Sequence, residues 1–464
     1  MSINNYNLIK TNYHILEIDS KEFLFHIPTS SVFELSTESA NLLKKMENKE
    51  EITKDEEEIT KDEEEIVEEF KELNIVGSRF FVKEEETKIE HFPAKALILN
   101  VTSGCNLSCT YCYKADLTSL KNSGQMTFEI AKDAIDMFYK ESPYLKEYSI
   151  TFFGGEPLSN LPLIKQIIAY ANDFFESKGL KIGYSMTSNA TLLTDEVIRY
   201  LHESKVDLTI SIDGPESLHN KTRVYENGKG SYEKVAKNVA KLLDIYKNRT
   251  VGARVTLTRG VTDVKTIWNH LRYDLKFKEV GFAPATSGDN DFFNLSDSDL
   301  KKVFAGFKEL GEDYINEAIK GNFNGFSNLH RTVIDIHEGR KKKLPCGAGV
   351  GLLSVSYKGD IDLCHRFTGS DYPSFGNIEK GLDKKALGSF LEKRANEKDT
   401  SCQTCRIRNL CAGGCYHESY IKYGTPEKSV LHYCDDMRNW IDFAVEAYIR
   451  IKAKNPEFFT KYFK

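Results

Sequence analysis

Three closely spaced cysteines are the residues of this chain best suited to do chemistry. Cys105, Cys109 and Cys112 are separated by three and then two residues and follow the apolar run 96–101. Three thiolates can bind three irons of a cubane [4Fe–4S] cluster and leave the fourth iron open for a small molecule. Zinc is the alternative, since Cys109 and Cys112 could form half of a zinc knuckle, but a third cysteine four positions upstream fits that pattern poorly.

The elements that must position these cysteines alternate between strand-like and helix-like segments from residue 93 to about 300. This rhythm is typical of a parallel sheet with crossover helices, and it predicts an α/β fold, a partial (β/α)6 TIM-like barrel. Functional residues are then expected at the carboxyl ends of the strands. The strands are predicted at 96–101, 148–153, 182–187, 206–212, 252–257 and 279–283.

The cysteine stretch resembles the signature of radical S-adenosylmethionine (SAM) enzymes, with Tyr111 as the aromatic residue before the last cysteine. The resemblance implies that Cys105, Cys109 and Cys112 are catalytic and hold the cluster to which SAM binds. It also implies a series of cofactor contacts in chain order after the strands. These are Gly154, Gly155 and Glu156 for the SAM amino group, Ser188 and Asn189 for the ribose, Ser211 and Arg223 for the carboxylate, Thr256 and Leu257 for the adenine, and Tyr111 and Asp213 beside them. Asp213 is equally open to interpretation as a structural cap, because Asp-Gly-Pro is ordinary turn chemistry.

Seven further cysteines lie between residues 346 and 434, and their number is informative. They are Cys346, Cys364, Cys402, Cys405, Cys411, Cys415 and Cys434. Two cubanes need eight ligands, so seven thiols leave one iron position unfilled. Zinc is again the alternative, since paired cysteines such as Cys402 and Cys405 are common zinc ligands.

The spacing of these seven resembles the SPASM extension, a twin-cluster domain of peptide-modifying and sulfatase-maturing radical SAM enzymes. The resemblance implies an outer cluster on Cys402, Cys405, Cys411 and Cys434, an inner one on Cys346, Cys364 and Cys415, and three [4Fe–4S] clusters in all. The gap at the inner cluster has two interpretations. A water or non-cysteine ligand fills it, or a substrate thiolate binds there.

Residues 1–92 are predicted to form a small domain with a hairpin at 13–27, a helix after Ser36 or Thr37 and a last strand at 79–82. An acidic heptad, repeated letter for letter at 50–56 and 57–63, predicts a solvated helix or loop. The pattern resembles the winged-helix-like peptide-recognition domains of peptide maturases, which implies that a leader peptide adds to the sheet as a strand. A DNA-binding winged helix is the alternative, but the glutamates would repel phosphates.

Composition narrows the class of protein. The 464 residues carry a net charge of −6, with 40% hydrophobic and 28% charged residues, as in an ordinary globular protein. There is no basic surplus to recommend a nucleic-acid partner. Because neither an export signal nor a long apolar run occurs, we expect no membrane partner, a cytoplasmic location and reduced cysteines.

The predicted organisation has five parts. They are the peptide-recognition domain at 1–92, the radical SAM partial barrel at 93–300, a helical bridge at 301–345, the SPASM iron–sulfur domain at 346–440 and a C-terminal helix at 441–464.

Longer phrases, among them FLFHIPT from Phe23, FFGGEPLSN from Phe152 and LCHRFTGS around Cys364, resemble maturases of quinohemoprotein amine dehydrogenase and of freyrasin-type ranthipeptides. The resemblance implies thioether crosslinks between Cys sulfur and Asp or Glu side-chain carbon. The expected partners are a Cys- and Asp/Glu-containing precursor peptide with a leader, and a flavodoxin- or ferredoxin-type reductant.

Two other functions stay in view. One is sulfatase-type formylglycine generation or another SPASM peptide modification; His365 weighs against formylglycine generation, because it follows Cys364 where sulfatase maturases carry an aspartate. The other is an iron–sulfur electron carrier or peptide-binding scaffold, against which the ordered SAM motifs count.

Overall fold

The computed structural model describes residues 3–48, 58–77, 86–247, 249–285, 292–396 and 400–463. The last strand predicted for the N-terminal domain, at 79–82, and the whole first heptad copy, at 50–56, lie outside these ranges. In the described part of the chain no helix is long and apolar enough to cross a membrane.

The N-terminal region contains an antiparallel three-stranded sheet and two helices, and the predicted hairpin is confirmed. Its middle strand separates two cores, because Leu24 packs with the N-terminal helices while Phe23 and Phe25 pack into the main core of the molecule. Thr60 and Glu63 form a capping box at the start of the second helix. The elements are β1 Asn7–Leu8, β2 Tyr13–Ile18, β3 Lys21–His26, β4 Ser31–Glu34, α1 Thr37–Glu47, α2 Lys61–Glu72 and β5 Val76–Gly77.

The central region is built on parallel strands whose spatial order follows the chain order, as the alternating pattern predicts. Each strand is followed by helices that cover one face of the sheet. The elements are β6 Ala96–Asn100, β7 Gly104–Cys105, β8 Thr118–Ser119, α3 Phe128–Glu141, β9 Glu147–Phe153, α4 Leu161–Glu176, β10 Lys181–Ser188, α5 Asp195–Glu203, β11 Val206–Ser211, α6 Glu216–His219, α7 Tyr232–Ile245, β12 Gly252–Leu257, α8 Val264–Asn269, β13 Glu279–Pro284, α9 Asp297–Ile319 and α10 Ser327–His337.

Side chains alternate between the two faces of these strands. In β12, for example, Ala253, Val255 and Leu257 are buried in the apolar core beneath the helices. Arg254 and Thr256 therefore lie on the opposite face, which we call the lumen of the sheet. Hydroxyl groups mark the same face on neighbouring strands, where Thr151 of β9 and Ser185 of β10 share a hydrogen bond of 2.8 Å.

The distal region adds a strand to this sheet. Its first strand, β14, pairs in parallel with β6, and the next strand, β15, pairs antiparallel with β14. The main sheet of the described residues thus reads β13-β12-β11-β10-β9-β6-β14-β15. The elements are β14 Leu352–Val355, β15 Ile361–Asp362, β16 Gly376–Asn377, β17 Gly381–Leu382, α11 Lys384–Ala395, α12 Thr400–Gln403, α13 Arg408–Cys411, α14 Tyr416–Tyr423, α15 Cys434–Lys454 and α16 Glu457–Tyr462.

The pairing of β14 means that the sheet crosses the predicted boundary at residue 346. The domain limits themselves stay predictions, since sheet pairing alone does not delimit folding units. The long helix α15 packs against α9 and α10, and Arg450 of α15 holds Glu312 of α9 through two hydrogen bonds of 2.9 Å. The C-terminal helix is therefore part of the main body and not an appendage.

A substitution at Gly325 tests how tightly the backbone is packed in the turn that leads into α10. Gly325 has φ +96°, and a Cβ there would lie 2.1 Å from the Lys278 carbonyl oxygen, next to the start of β13. We expect Gly325→Ala to lower the free energy of unfolding by about 3 kcal/mol or more, because strain and overlap add. Gly179→Ala is the matched control, since Gly179 has φ +68° but open space around it, and it should cost about 1 kcal/mol. Equal chemical-denaturation midpoints for the two variants would contradict this assignment.

Candidate cofactor and cluster sites

The three proximal cysteines lie in the loop that follows β6. Thr102 begins to fix this loop, because its Oγ1 accepts a 2.9 Å hydrogen bond from the Gly104 amide. Cys105 Sγ is near two donors, the Leu107 amide at 3.4 Å and Asn189 Nδ2 at 3.8 Å. The loop thus presents its thiols at the carboxyl end of the strands.

Burial sets the protonation of these thiols. It raises the pKa of Cys105 to about 12, and Glu156 and the other two thiols add to the rise. It raises the pKa of Cys109 to about 11 despite the opposing effect of Arg223, with Cys112 adding to the rise. Since thiolates are the metal-binding form, a cluster bound here would release protons.

Gly154 and Gly155 press the end of β9 against the cysteine loop. A Cβ on Gly154 would lie 2.4 Å from the Thr102 carbonyl oxygen, and one on Gly155 would lie 2.2 Å from the Gly104 carbonyl oxygen. The Gly155 amide donates to Thr102 O (3.1 Å) and the Glu156 amide to Gly104 O (2.8 Å). These two glycines therefore allow a backbone-to-backbone contact that no larger residue permits.

Glu156 connects two of the predicted SAM motifs, the one for the amino group and the one for the ribose. Its fully buried carboxylate accepts hydrogen bonds from Ser188 Oγ at 2.9 Å and from the Asn189 amide at 2.7 Å. Burial raises the pKa of Glu156 to about 7, although these hydrogen bonds act in the opposite direction. The residues that the resemblance assigns separately to the amino group and the ribose thus form one network.

Asp213 is the centre of a second buried network. It accepts hydrogen bonds from Tyr111 OH at 2.7 Å, Arg223 Nε at 2.7 Å and the Thr256 amide at 2.8 Å. The Arg223 guanidinium also lies over the Tyr111 ring, 5.2 Å from its centroid. Burial lowers the pKa of Arg223, but Asp213, Tyr111 and Cys109 together outweigh it, so the net shift is upward and the arginine stays charged. The interpretation of Asp213 as a simple turn cap does not account for these contacts.

The remaining predicted contacts lie apart from these networks. Ser211 ends β11 on the lumen face, opposite Arg254 of β12. Leu257 is buried in the apolar core, so its side chain faces away from the lumen, while its carbonyl accepts from the Ala285 amide.

His219 was not predicted from the sequence: its Nδ1 lies 3.3 Å from the Asp213 amide, and burial lowers its pKa to about 4. His219 belongs to none of the predicted motifs, and only the folding of the short helix α6 brings it next to Asp213.

The seven distal cysteines separate into two electrostatic groups. Besides burial, Cys415 and Cys346 raise the pKa of Cys364, which reaches about 12. Burial likewise raises the pKa of Cys434 to about 11; Arg438 opposes the rise, and three thiols add to it, those of Cys411, Cys402 and Cys405. The groups coincide with the inner and outer sets that the resemblance implies, although their role as ligands stays a prediction.

A cavity of about 180 Å³ contains the outer group. Cys402, Cys405, Cys411 and Cys434 all line it. All ten cysteines fall within the described ranges and are free thiols.

Side chains next to the ligand candidates connect the proximal and inner groups. Tyr113, the residue after Cys112, packs edge-on against His365 and His417, with ring centroids 6.2 Å and 5.7 Å apart. The Arg366 guanidinium lies over the Tyr113 ring at 4.7 Å and donates from Nη1 to Cys415 Sγ at 3.7 Å. One residue of the proximal loop therefore contacts neighbours of two inner cysteines.

Comparison with known proteins identifies part of this arrangement. Residues 99–273 match the family model of the Radical SAM superfamily. A radical SAM domain occupies these residues. It contains the cysteine loop, Glu156, Asp213, Arg223 and the lumen face of β12.

Curated relatives cover different shares of the chain. An uncharacterised protein of Methanocaldococcus jannaschii is 37% identical over 172 residues, which are 37% of this chain and 53% of that protein. A cysteine-type anaerobic sulfatase-maturating enzyme of Clostridium novyi is 23% identical over 335 residues, covering 69% of this chain and 87% of the enzyme. The radical SAM cyclopropyl synthase TigE of Paramaledivibacter caminithermalis is 27% identical over 364 residues, covering 71% and 69%.

Solved structures share the fold. The structure of anSMEcpe with bound AdoMet and the Cp18Cys peptide has a TM-score of 0.66 at 22% identity, covering 78% of this chain and 99% of that one. Streptococcus suis SuiB bound to its precursor peptide SuiA has a TM-score of 0.53 at 15% identity, covering 92% and 99%. The α/β radical SAM fold with a parallel-strand core is therefore established for this chain.

The donor set of the proximal loop is three thiols, the kind of ligand that an iron–sulfur cluster takes. In the described ranges no three His, Cys, Asp or Glu side chains are close enough to share one ion. A zinc ion needs its ligands within about 2.3 Å of one centre, whereas a cubane takes each thiolate on a different iron. The three thiols act on one another's pKa within one loop, and each could bind a different iron of the cluster that the Radical SAM family implies.

The Asp213 network yields a prediction about SAM binding by the radical SAM domain. Asp213→Asn leaves the buried Arg223 without its counter-charge, so we expect SAM affinity to fall by about tenfold or more, and the free energy of unfolding by about 3 kcal/mol. Asp207→Asn is the control on β11, the strand that leads to Asp213, since Asp207 is exposed and pairs with Arg249 near the surface. It should change stability by less than about 1 kcal/mol. Unchanged SAM affinity in the first variant, measured by equilibrium binding to reconstituted protein, would remove Asp213 from the site.

Proposed function

We propose that this protein is a radical SAM maturase that forms thioether crosslinks between Cys sulfur and Asp or Glu side-chain carbon in a ribosomally synthesised precursor peptide. The observation that carries the proposal is the three-cysteine inner group beside the radical SAM domain, in contact with it through Tyr113 and Arg366. Three thiols leave one position of a cubane for an outside ligand, and a substrate cysteine is a thiolate ligand of the right kind.

The residues present suit the proposed cofactors, three iron–sulfur clusters and SAM. Cys105, Cys109 and Cys112 would hold the SAM cluster, the inner and outer groups would hold the other two, and Glu156 and the Asp213–Arg223 pair would bound the SAM site. When bound, the proximal cluster and SAM supply a carbon-centred radical that removes hydrogen from an unactivated carbon. The chain's own part is to position that carbon and to exclude water from the lumen.

The N-terminal sheet is a suitable leader-binding element. Within the described residues β4 pairs with β3 on one side only, so its other edge can accept an extended peptide strand. The N-terminal region also contacts α13, the helix that ends at Cys411 of the outer group, since Arg408 donates to the Thr11 carbonyl oxygen at 2.7 Å and Asn409 to the Ile27 carbonyl oxygen at 2.7 Å. An external one-electron reductant of flavodoxin or ferredoxin type completes the proposal.

Formylglycine generation is a second candidate. The likeness to cysteine-type sulfatase-maturating enzymes over most of the chain favours it. His365 disfavours it, because it stands where sulfatase maturases carry an aspartate, and burial and the neighbouring cations lower its pKa so that the imidazole is neutral. The two candidates differ in the fate of the substrate sulfur.

Mass spectrometry of the modified peptide distinguishes them. With a precursor encoded beside this protein, we expect loss of a pair of hydrogens for each crosslink and retention of the cysteine sulfur. Fragmentation should then locate a Cys-to-Asp or Cys-to-Glu bridge that resists thiol alkylation. Loss of sulfur from the cysteine would support formylglycine generation and contradict the thioether proposal.

Cluster removal tests the enzyme itself. Anaerobically reconstituted protein should hold about twelve irons, as three cubanes require. The Cys105, Cys109 and Cys112 triple change to alanine should lower this to about eight irons and abolish release of 5′-deoxyadenosine from SAM. The matched triple change of Cys402, Cys405 and Cys411 should also remove about four irons but spare SAM binding. Persistent 5′-deoxyadenosine release from the first variant would defeat the proposal.

A further inference from the structure

Arg254 places a positive charge inside the lumen. It lies in the middle of β12, between core residues Ala253 and Val255, and so faces away from the helices. Its register partners on the adjacent strands are uncharged, Ser211 on β11 and Gly281 on β13. Nothing in the two SAM-side networks uses this cation.

A second arginine, Arg331 of α10, lies near Arg254. A Cβ on Gly281 would stand 3.5 Å from Arg254 Nη1 and 2.7 Å from Ser327 Oγ, so the Arg254 guanidinium and the first residue of α10 meet over this glycine. Ser327 is fixed there, because its Oγ donates to the Val280 carbonyl oxygen at 3.1 Å. Arg331 follows four residues later on α10, on the same helix face as Ser327.

The charges here are unbalanced. Burial, together with the positive charges of Arg331 and Arg366, lowers the pKa of Arg254 to about 10. The facing acidic group is Glu279, two residues before Gly281 on the lumen face of β13; burial raises its pKa, and Arg331 opposes that rise. Among the described residues, the side chains of Arg254 and Arg331 form no ion pair or hydrogen bond. A cation held this way is stabilised by any anion that enters.

We propose that Arg254 and Arg331 form a carboxylate-binding site in the lumen, and that its ligand is the Asp or Glu side chain of the substrate peptide. A planar guanidinium binds a carboxylate through two parallel hydrogen bonds, which fixes orientation as well as position. The inference rests on the proposed function and assigns the group that holds the reacting side chain. It makes Arg254 a residue that selects acidic substrate positions.

The carboxylate of SAM is the other source of the same chemistry. Arg223 is placed for it, since Arg223 lies against Tyr111 and its charge acts on Cys109. The charge of Arg366 instead acts on Arg254. Arg366 contacts Tyr113 and Cys415 on the side of the inner cysteine group. The substrate carboxylate is therefore the better ligand for the Arg254 site.

Binding to reconstituted holoenzyme tests the site without turnover. The probes are two short capped synthetic peptides with one cysteine and either one aspartate or one asparagine, titrated in the presence of SAM. Wild-type protein should bind the aspartate peptide at least about tenfold more tightly. Arg254→Gln should abolish the preference, and Arg254→Lys should keep part of it. Arg249→Gln, which removes a charge from the surface pair with Asp207, should leave the preference unchanged.

Two separate measurements identify each kind of failure. Iron content and SAM affinity of the Arg254 variants should match wild type; a fall in SAM affinity with the aspartate preference intact would assign Arg254 to SAM and overturn the inference. Equal binding of both peptides to wild type, or no binding of either, would also overturn it. Release of 5′-deoxyadenosine by wild type reports on the proposed function independently, so an enzyme that cleaves SAM but ignores the carboxylate loses only this site.

Discussion

The close contact between the cysteine loop and the end of β9 is the constraint on which the rest of the site depends. Two glycine backbones lie directly against the carbonyls of Thr102 and Gly104, and paired amide hydrogen bonds hold them there. The loop after β6 has little regular structure of its own, so these bonds replace the ladder that a longer strand would provide. The thiols are thus fixed relative to the sheet before any metal binds.

Buried carboxylates extend that constraint across the barrel. Glu156 ties β9 to the end of β10, and Asp213 ties the turn after β11 to β12, Tyr111 and Arg223. A buried carboxylate is unfavourable unless its oxygens are hydrogen-bonded, and both of these have three donors. Since these donors include residues of other motifs, Ser188 and Asn189 for Glu156 and Tyr111, Arg223 and Thr256 for Asp213, correct placement of one motif depends on the others. This mutual dependence explains why the polar residues follow consecutive strands in the sequence.

The sequence predicts the strands closely and the contacts less well. Strand β12 has the predicted bounds, four other central strands differ by one residue at one end, and β10 differs by one residue at each end, because alternation of apolar and polar residues reports directly on the two faces of a sheet. The addition of β14 to the edge of β6 could not be predicted, since pairing between strands about 250 residues apart leaves no periodic signal in either. The same holds for His219 and for the contact of Tyr113 with His365, which depend on tertiary packing of short, irregular segments.

The shared sheet also joins the segments that carry the proximal and inner cysteines, which are far apart in sequence. Strand β6 leads into the proximal cysteine loop, and β14, its direct neighbour, lies in the segment between Cys346 and Cys364. Movement of the inner group relative to the barrel would therefore break main-chain hydrogen bonds, not merely slide one surface over another. Tyr113 and Arg366 fill the space between the two groups with an aromatic ring and a cation. A peptide that places its cysteine at the inner group and its acidic side chain at Arg254 would consequently meet two fixed points, and the distance between them would select which residues of the peptide can be joined.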